Sequence, residues 1–188
     1  MKVSKEQAAK NRDRILDATS RLIRERGLAG VGVDALTGAA GFTPGSLYSQ
    51  FGSKDRLLAE TLHYINDRRS EARTLNKLSA ADFISSYLSA DHRDNPGDGC
   101  YFATLGPEIH RQSKKVRRTF TEKVLENLSW LSSVLPGKRK LQRENEALLM
   151  MSTLIGAMVL ARAVDDSILS ERLLSVSREE MLDRVGDH

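Results

Sequence analysis

Cys100 is the only thiol in the chain, and His92 and His110 are the imidazoles closest to it in sequence. A thiol and an imidazole can form a nucleophile and its base, but the base needs an orienting group and the reaction needs oxyanion donors. No carboxylate-oriented pair and no oxyanion-forming loop accompanies these residues. A lone Cys at a helix start is the pattern of a small buried side chain. Asp91, His92, Asp94 and Asp98 offer metal ligands by type, yet their spacing fits no ligand loop. The sequence therefore predicts no catalytic residue, no metal site and no cofactor. The chemistry that does stand out is recognition. Residues 41–55, Gly-Phe-Thr-Pro-Gly-Ser-Leu-Tyr-Ser-Gln-Phe-Gly-Ser-Lys-Asp, read as a turn, a short helix and the capped start of another. Small polar side chains on a short helix next to a cation suit the major groove of DNA. Thr43 and Ser46 can bond base edges or phosphates, and Pro44 can touch a thymine methyl. Gly45 lets the backbone come close. Ser49 and Gln50 can contact bases or backbone, and Gln can bond adenine bidentately. Lys54, with the helix start that carries it, can hold a phosphate. Leu47 and Phe51, four apart, are expected to face the core.

Such a helix has to be positioned by others. A first helix is expected from Ser4, where Ser4 and Gln7 match a capping box, and Ile15, Ala18, Leu22 and Ile23 recur at helical spacing up to a stop at Gly27. After a tight loop at 27–32, a short helix fits Val33 to Ala40, with Leu36, Ala39 and Ala40 turned inward. Gly41 ends it. Thr43 is placed to cap the third helix and Pro44 to occupy its first position. Gly52 breaks that helix. Ser53 caps a fourth, which carries Leu57, Leu58, Leu62 and Ile65 to about Arg73. Two-turn helices are marginal alone, so the second and third must pack on the first, and the three make a helix-turn-helix unit.

Further on, Ser79 and Asp82 signal another helix start, 91–99 reads as loop, and helices fit 100–111, 113–135, 147–164 and 168–184. The chain is expected to be all-α. Pro occurs at four positions, aromatics make up 5% of residues, and no segment alternates apolar and polar residues for long. Basic residues exceed acidic ones by four overall, and residues 1–26 hold eight cations against four acids, which is compatible with a polyanion partner. One cysteine leaves no intrachain disulfide, and a reducing compartment is the simpler reading. No apolar leader and no run near the length of a membrane span is evident, so a cytoplasmic protein without a membrane partner is expected.

The N-terminal block resembles the TetR family of transcriptional regulators. The resemblance rests on Arg14-Ile15-Leu16-Asp17-Ala18, Arg26-Gly27, Ala40-Gly41-Phe42, Gly45 to Phe51 and Ser53 to Leu58, and covers about residues 10–65. More loosely, Gly99-Cys100, the stretch 111–120 and Leu160 to Asp166 are similar to one subgroup of the family. The resemblance implies a DNA-binding set of Thr43, Pro44, Gly45, Ser46, Tyr48, Ser49, Gln50 and Lys54, with the Tyr48 phenol on a phosphate. It departs from some members at Asp34, which stands where they carry a base-reading cation and which complements the helix dipole instead. It also implies two domains: residues 1–53 to bind DNA and residues 54–188 to bind an effector and dimerise, with helix 54–73 as the link and lever. The two-fold dimer would form through residues ~145–185, helped by the small residues Gly156, Ala157, Ala161 and Ala163, as a four-helix bundle. The partners implied are a pseudo-palindromic DNA operator, a second copy of the chain and a small-molecule effector that releases a repressor. Pocket candidates are Phe83, Tyr87, Phe102, Leu105, His110, Phe120, Trp130 and Met151, with Met158 also apolar and near; the scarcity of charge among them suits a small, largely apolar effector. The competing expectation is a small helical enzyme or ligand carrier on the same scaffold, which would not need the exposed tip of the third helix or Lys54.

Overall fold

The computed structural model describes residues 5–137 and 139–186; the Ser4 half of the expected capping box lies outside them. The described residues form helices and no strands: α1 (Lys5–Arg26), α2 (Val33–Ala39), α3 (Pro44–Phe51), α4 (Lys54–Leu75), α5 (Ala80–Tyr87), α6 (Ala90–Asp94), α7 (Tyr101–Ile109), α8 (Lys114–Val134), α9 (Lys140–Ala163) and α10 (Ser167–Gly186). Two compact units share them. One comprises residues 1–71 and 104–123, the other 72–103 and 124–188, so α4, α7 and α8 each continue from one unit into the other.

The first unit is built on Ile15 and Ile23 of α1, Leu36 of α2, Leu47 and Phe51 of α3, and Leu57, Leu58 and Leu62 of α4, all buried. Arg12 ties three of these helices together. Its guanidinium lies 4.3 Å from the centre of the Phe51 ring, donates to the Gln50 carbonyl at 2.9 Å and pairs with Glu60. One turn on, Asp17 accepts from the Tyr64 hydroxyl at 3.2 Å and faces Arg68 at 3.5 Å. Burial, and then the Asp17 carboxylate, push the Tyr64 phenol above its ordinary pKa, which keeps it a donor.

The loop after α1 is held from two sides. Gly27 turns the chain with φ +72°, and the Glu108 carboxylate of α7 accepts from the Leu28 and Ala29 amides at 2.9 and 2.6 Å. A Cβ on Gly27 would lie 2.1 Å from a Glu108 oxygen, so the position needs glycine both for its φ and for this approach. From the other side, the Lys54 ammonium donates to the Val31 carbonyl at 2.6 Å.

In the second unit α9 and α10 pack along one another, burying Leu154, Met158, Leu174 and Met181. Short helices leave most of their end groups unpaired, and here side chains from elsewhere take them up. The last carbonyls of α5 receive His92 Nδ1 (on Tyr87, 2.7 Å) and Arg178 (on Leu88, 2.9 Å). Those of α6 receive Arg162, which donates to the oxygens of His92 and Arg93 at 2.5 and 3.0 Å. His92 Nε2 accepts from the Cys100 amide at 2.8 Å, which makes Nδ1 the protonated nitrogen and the imidazole neutral. A Cβ on Gly99 would come within 3.0 Å of both Arg162 and the His92 ring.

Several expectations change. Residues 91–99 are only partly loop, because Ser89 caps α6 by accepting from the His92 amide. Ala39 is exposed and Thr37 is buried in its place, with its hydroxyl satisfied by the Val33 carbonyl at 3.0 Å. Helix α9 starts seven residues earlier than read, and it is long and apolar enough to cross a membrane by length and composition, contrary to the expectation that no run approaches that length.

Gly27→Ala is expected to cost about 1–3 kcal/mol, since it strains the backbone and drives Glu108 off two amides. Combined with Glu108→Ala it should cost less than the sum of the two singles, because both act on one contact. Denaturant midpoints of the three variants check this; strict additivity would count against the contact.

Candidate nucleic-acid interface

The helix-turn-helix consists of α2 and α3 set on α1. Thr43 occupies the N-cap of α3 with extended backbone, Pro44 follows at the first position, and Gly52 ends the helix. Thr43 was expected to cap with its side chain. It does not: its hydroxyl lies 3.2 Å from that of Ser46, while its carbonyl accepts from the Ser46 amide.

Leu47 and Phe51 are fully buried as expected, so the opposite side of α3 turns outward. Thr43, Pro44, Gly45, Tyr48 and Ser49 are exposed, and Ser46 and Gln50 are half-buried. Tyr48 keeps 53% of its surface, a large exposure for an aromatic ring. Ser49 bonds the Ser46 carbonyl at 3.0 Å, and the Gln50 carbonyl is occupied by Arg12. A Cβ at Gly45 would meet nothing closer than the Thr43 hydroxyl at 3.8 Å. Nothing inside the chain therefore requires glycine there, whereas close approach of an outside backbone would.

Lys54 opens α4 and is half-buried. One of its three N–H bonds goes to Val31, which orders the ammonium and leaves two donors. Asp34 lies exposed in the first turn of α2, where it complements the dipole as expected. The sequence reading missed Arg12 and Glu108, which hold α3 and the loop before α2. Arg12 lay in the basic N-terminal stretch with no mark to set it apart, and Glu108 is separated from its partners by about 80 residues.

The residues expected to line an effector pocket fall in both units. In the second, Phe83 packs edge-on against Trp130 at 5.0 Å and lies 5.6 Å from Tyr87, and Phe102 stacks near Tyr101 at 4.2 Å. Arg73, which the sequence did not single out, lies 4.1 Å above Trp130 and 5.5 Å above Phe83. Met151 is half-buried and Met158 is core. In the first unit Leu105 is buried, Phe120 half-buried and His110 exposed. Two open clefts of about 430 Å³, one in each unit, are lined by other residues. Among the described residues no group of three or more His, Cys, Asp or Glu could hold a metal ion.

Comparison with known proteins meets this arrangement. Residues 15–61, which run from α1 into α4, match the model of bacterial regulatory proteins, tetR family. An HTH-type transcriptional regulator of Mycobacterium tuberculosis, itself described as uncharacterized, is 32% identical over 104 residues, 52% of this chain and 51% of that protein. The chain thus aligns with about half the length of this curated relative. Two solved structures share the fold over nearly the whole chain. A TetR family regulator from Agrobacterium tumefaciens has a TM-score of 0.77 at 19% identity, covering 95% of this chain and 98% of that one. One from Legionella pneumophila has a TM-score of 0.76 at 19% identity, covering 98% and 100%. The N-terminal helices thus match the tetR-family model over residues 15–61, and the fold of the chain is the one that these solved TetR-family regulators share.

Proposed function

We propose that this protein is a homodimeric, cytoplasmic repressor that binds a pseudo-palindromic operator through Thr43, Pro44, Gly45, Ser46, Tyr48, Ser49, Gln50 and Lys54, and is released by a small, largely apolar effector. The observation that carries the reading is the outward side of α3. It joins hydroxyls, an amide, a phenol and an unneeded glycine on a helix whose buried Leu47 and Phe51 fix which way it faces. Tyr48 and Lys54 supply phosphate contacts that set register, and the first turn of α3 reads base edges.

Dimerisation is supported by α9 and α10. Leu148, Ser152, Gly156 and Leu160 follow one another every four residues along α9, and Leu148 and Leu160 are each about half exposed. A Cβ on Gly156 would meet nothing within 4 Å. Ile168, Leu169 and Val176 of α10 are exposed as well. Apolar side chains spaced along a helix beside a glycine with open space in front of it fit a second pair of helices, as in a four-helix bundle. In a two-fold dimer each half-site would be read by one copy, about 34–36 Å apart or at a related spacing. The effector is taken up by the residues of the expected set that belong to the second unit, Phe83, Tyr87, Phe102, Trp130 and Met151, and it acts only by binding the two states of the dimer unequally.

Selection of bound sequences from random duplexes, repeated with candidate effectors, is the direct test; recovery of no enriched inverted repeat would overturn the reading. Tyr48→Ala is expected to weaken the selected site by roughly 5- to 30-fold with the dimer intact, a phosphate contact's share. Lys54→Ala should weaken DNA binding and also lower stability by about 1–3 kcal/mol, because Val31 loses a charged donor. Leu160→Glu should give a monomer by light scattering at micromolar concentration and lose on the order of 100-fold in operator affinity as the two heads are uncoupled. A wild-type monomer under those conditions would remove the dimer.

A further inference from the structure

Charge is divided unevenly in this chain. Residues 1–71 and 104–123 hold 18 Lys and Arg against 11 Asp and Glu, a net of +7, while 72–103 and 124–188 are net −3. Much of the excess lies outside the helix-turn-helix: residues 104–123 alone have six cations and two acids. Five of those cations, Arg111, Lys114, Lys115, Arg117 and Arg118, are exposed. None pairs with a carboxylate among the described residues. Three basic residues of α1 differ. Lys10 pairs with Glu6, Arg12 with Glu60 and Arg21 with Glu25, so part of the N-terminal charge is answered within the unit.

The helical period puts Lys114, Arg117 and Arg118 on the face of α8 opposite the buried Val116 and Thr119, with Lys115 exposed at the edge beside Thr119. The first turn of α8 has no acid, and cations there oppose the helix dipole. Neighbouring like charges on a helix also repel. Local stability would favour mixed signs, so this face is built against its own helix, which is where a binding surface is expected. The segment is tethered as well. Glu108, three residues before Arg111, bonds the loop that enters α2, and the same loop accepts from Lys54 at Val31.

We propose that the exposed face of Arg111 to Arg118 is a second, sequence-independent contact to the phosphate backbone of double-stranded DNA, adding to that of α3 and Lys54. It rests on the DNA-binding reading given above. Neutralising phosphates releases counterions, so each contact steepens the fall of affinity with salt.

The test uses the full chain, a random-sequence duplex of about 40 bp and a salt titration of binding. The variant is Lys114→Gln/Lys115→Gln/Arg117→Gln/Arg118→Gln. Its salt slope should be shallower than wild type by about 0.9 for each phosphate that it no longer neutralises, hence by roughly 2 to 3.5 in all, with at least about tenfold weaker binding at low salt. The milder pair Lys115→Gln/Arg118→Gln should show about half the change in slope. Both variants should melt at or above the wild-type temperature by circular dichroism, because the substituted side chains are exposed and oppose the dipole; if the quadruple variant melts early, the pair decides. A wild type that binds the duplex while the variants keep its slope and affinity overturns this surface and leaves the helix-turn-helix reading standing. A wild type that binds no duplex at all overturns both.

Discussion

An eight-residue helix has no stability of its own in water, so everything proposed for α3 depends on the burial of Leu47 and Phe51. Their side chains lie four apart and fix the helix's rotation about its axis. Arg12 strengthens the arrangement at the far end. Over Phe51 it gains a cation–π contact, and it bonds the Gln50 carbonyl, one of the last-turn oxygens that a short helix leaves without a partner. Glu60 then fixes the guanidinium itself. The polar side of α3 is thus held outward by apolar contacts on the other side, and small hydroxyls can stay solvated until a ligand replaces the water.

The same logic extends to α2 through its loop. Six residues from Gly27 to Gly32 must turn the chain and deliver α2 onto α1 with little apolar area to hold them. Leu28 and Val31 supply burial. The rest is polar: Glu108 satisfies two amides and Lys54 one carbonyl. Both are charged, and charge-assisted bonds are the stronger kind. Because Glu108 belongs to α7 and Lys54 to α4, the loop that enters α2 is held by side chains from outside residues 1–53. It is completed by residues 80 and 23 positions further on.

The sequence was most legible where one local rule decided the outcome. Gly27, Gly52 and the Thr43-Pro44 pair mark helix ends by backbone chemistry, and the boundaries of α1 to α4 follow them to within two residues. Leu47 and Phe51 were readable as core from spacing alone. Legibility failed where a side chain had more than one local partner and where partners lie far apart in sequence. The Thr43 hydroxyl passed over the cap for Ser46. Asp-rich 91–99 read as loop because its composition is that of a turn, yet Ser89 and the carbonyl contacts of Arg162 hold α6. Nothing local marks Arg162, whose bonds to the end of a short helix reach about 70 residues back along the chain. The polar start of α9, Lys140 to Glu146, carries no apolar stripe to announce it, so the apolar run reads as the whole helix.

Two of the helices that run past the boundary between the units, α4 and α7, differ in stiffness. Helix α4 runs 22 residues without glycine or proline, and Arg12, Asp17 and Val31 are bonded along its first four turns. A helix so built moves as a rod. Helix α7 is nine residues long and carries Gly106 and Pro107, so Pro107 has no amide for the carbonyl of Ala103 and clashes with it. Glycine before it lowers the cost of bending further. Its Glu108 end is fixed to the loop before α2, so any shift of its Tyr101 end is absorbed at the Gly106-Pro107 step before it strains those two bonds. For the effector response proposed above, α4 is therefore the stiff stretch of chain and α7 the pliant one.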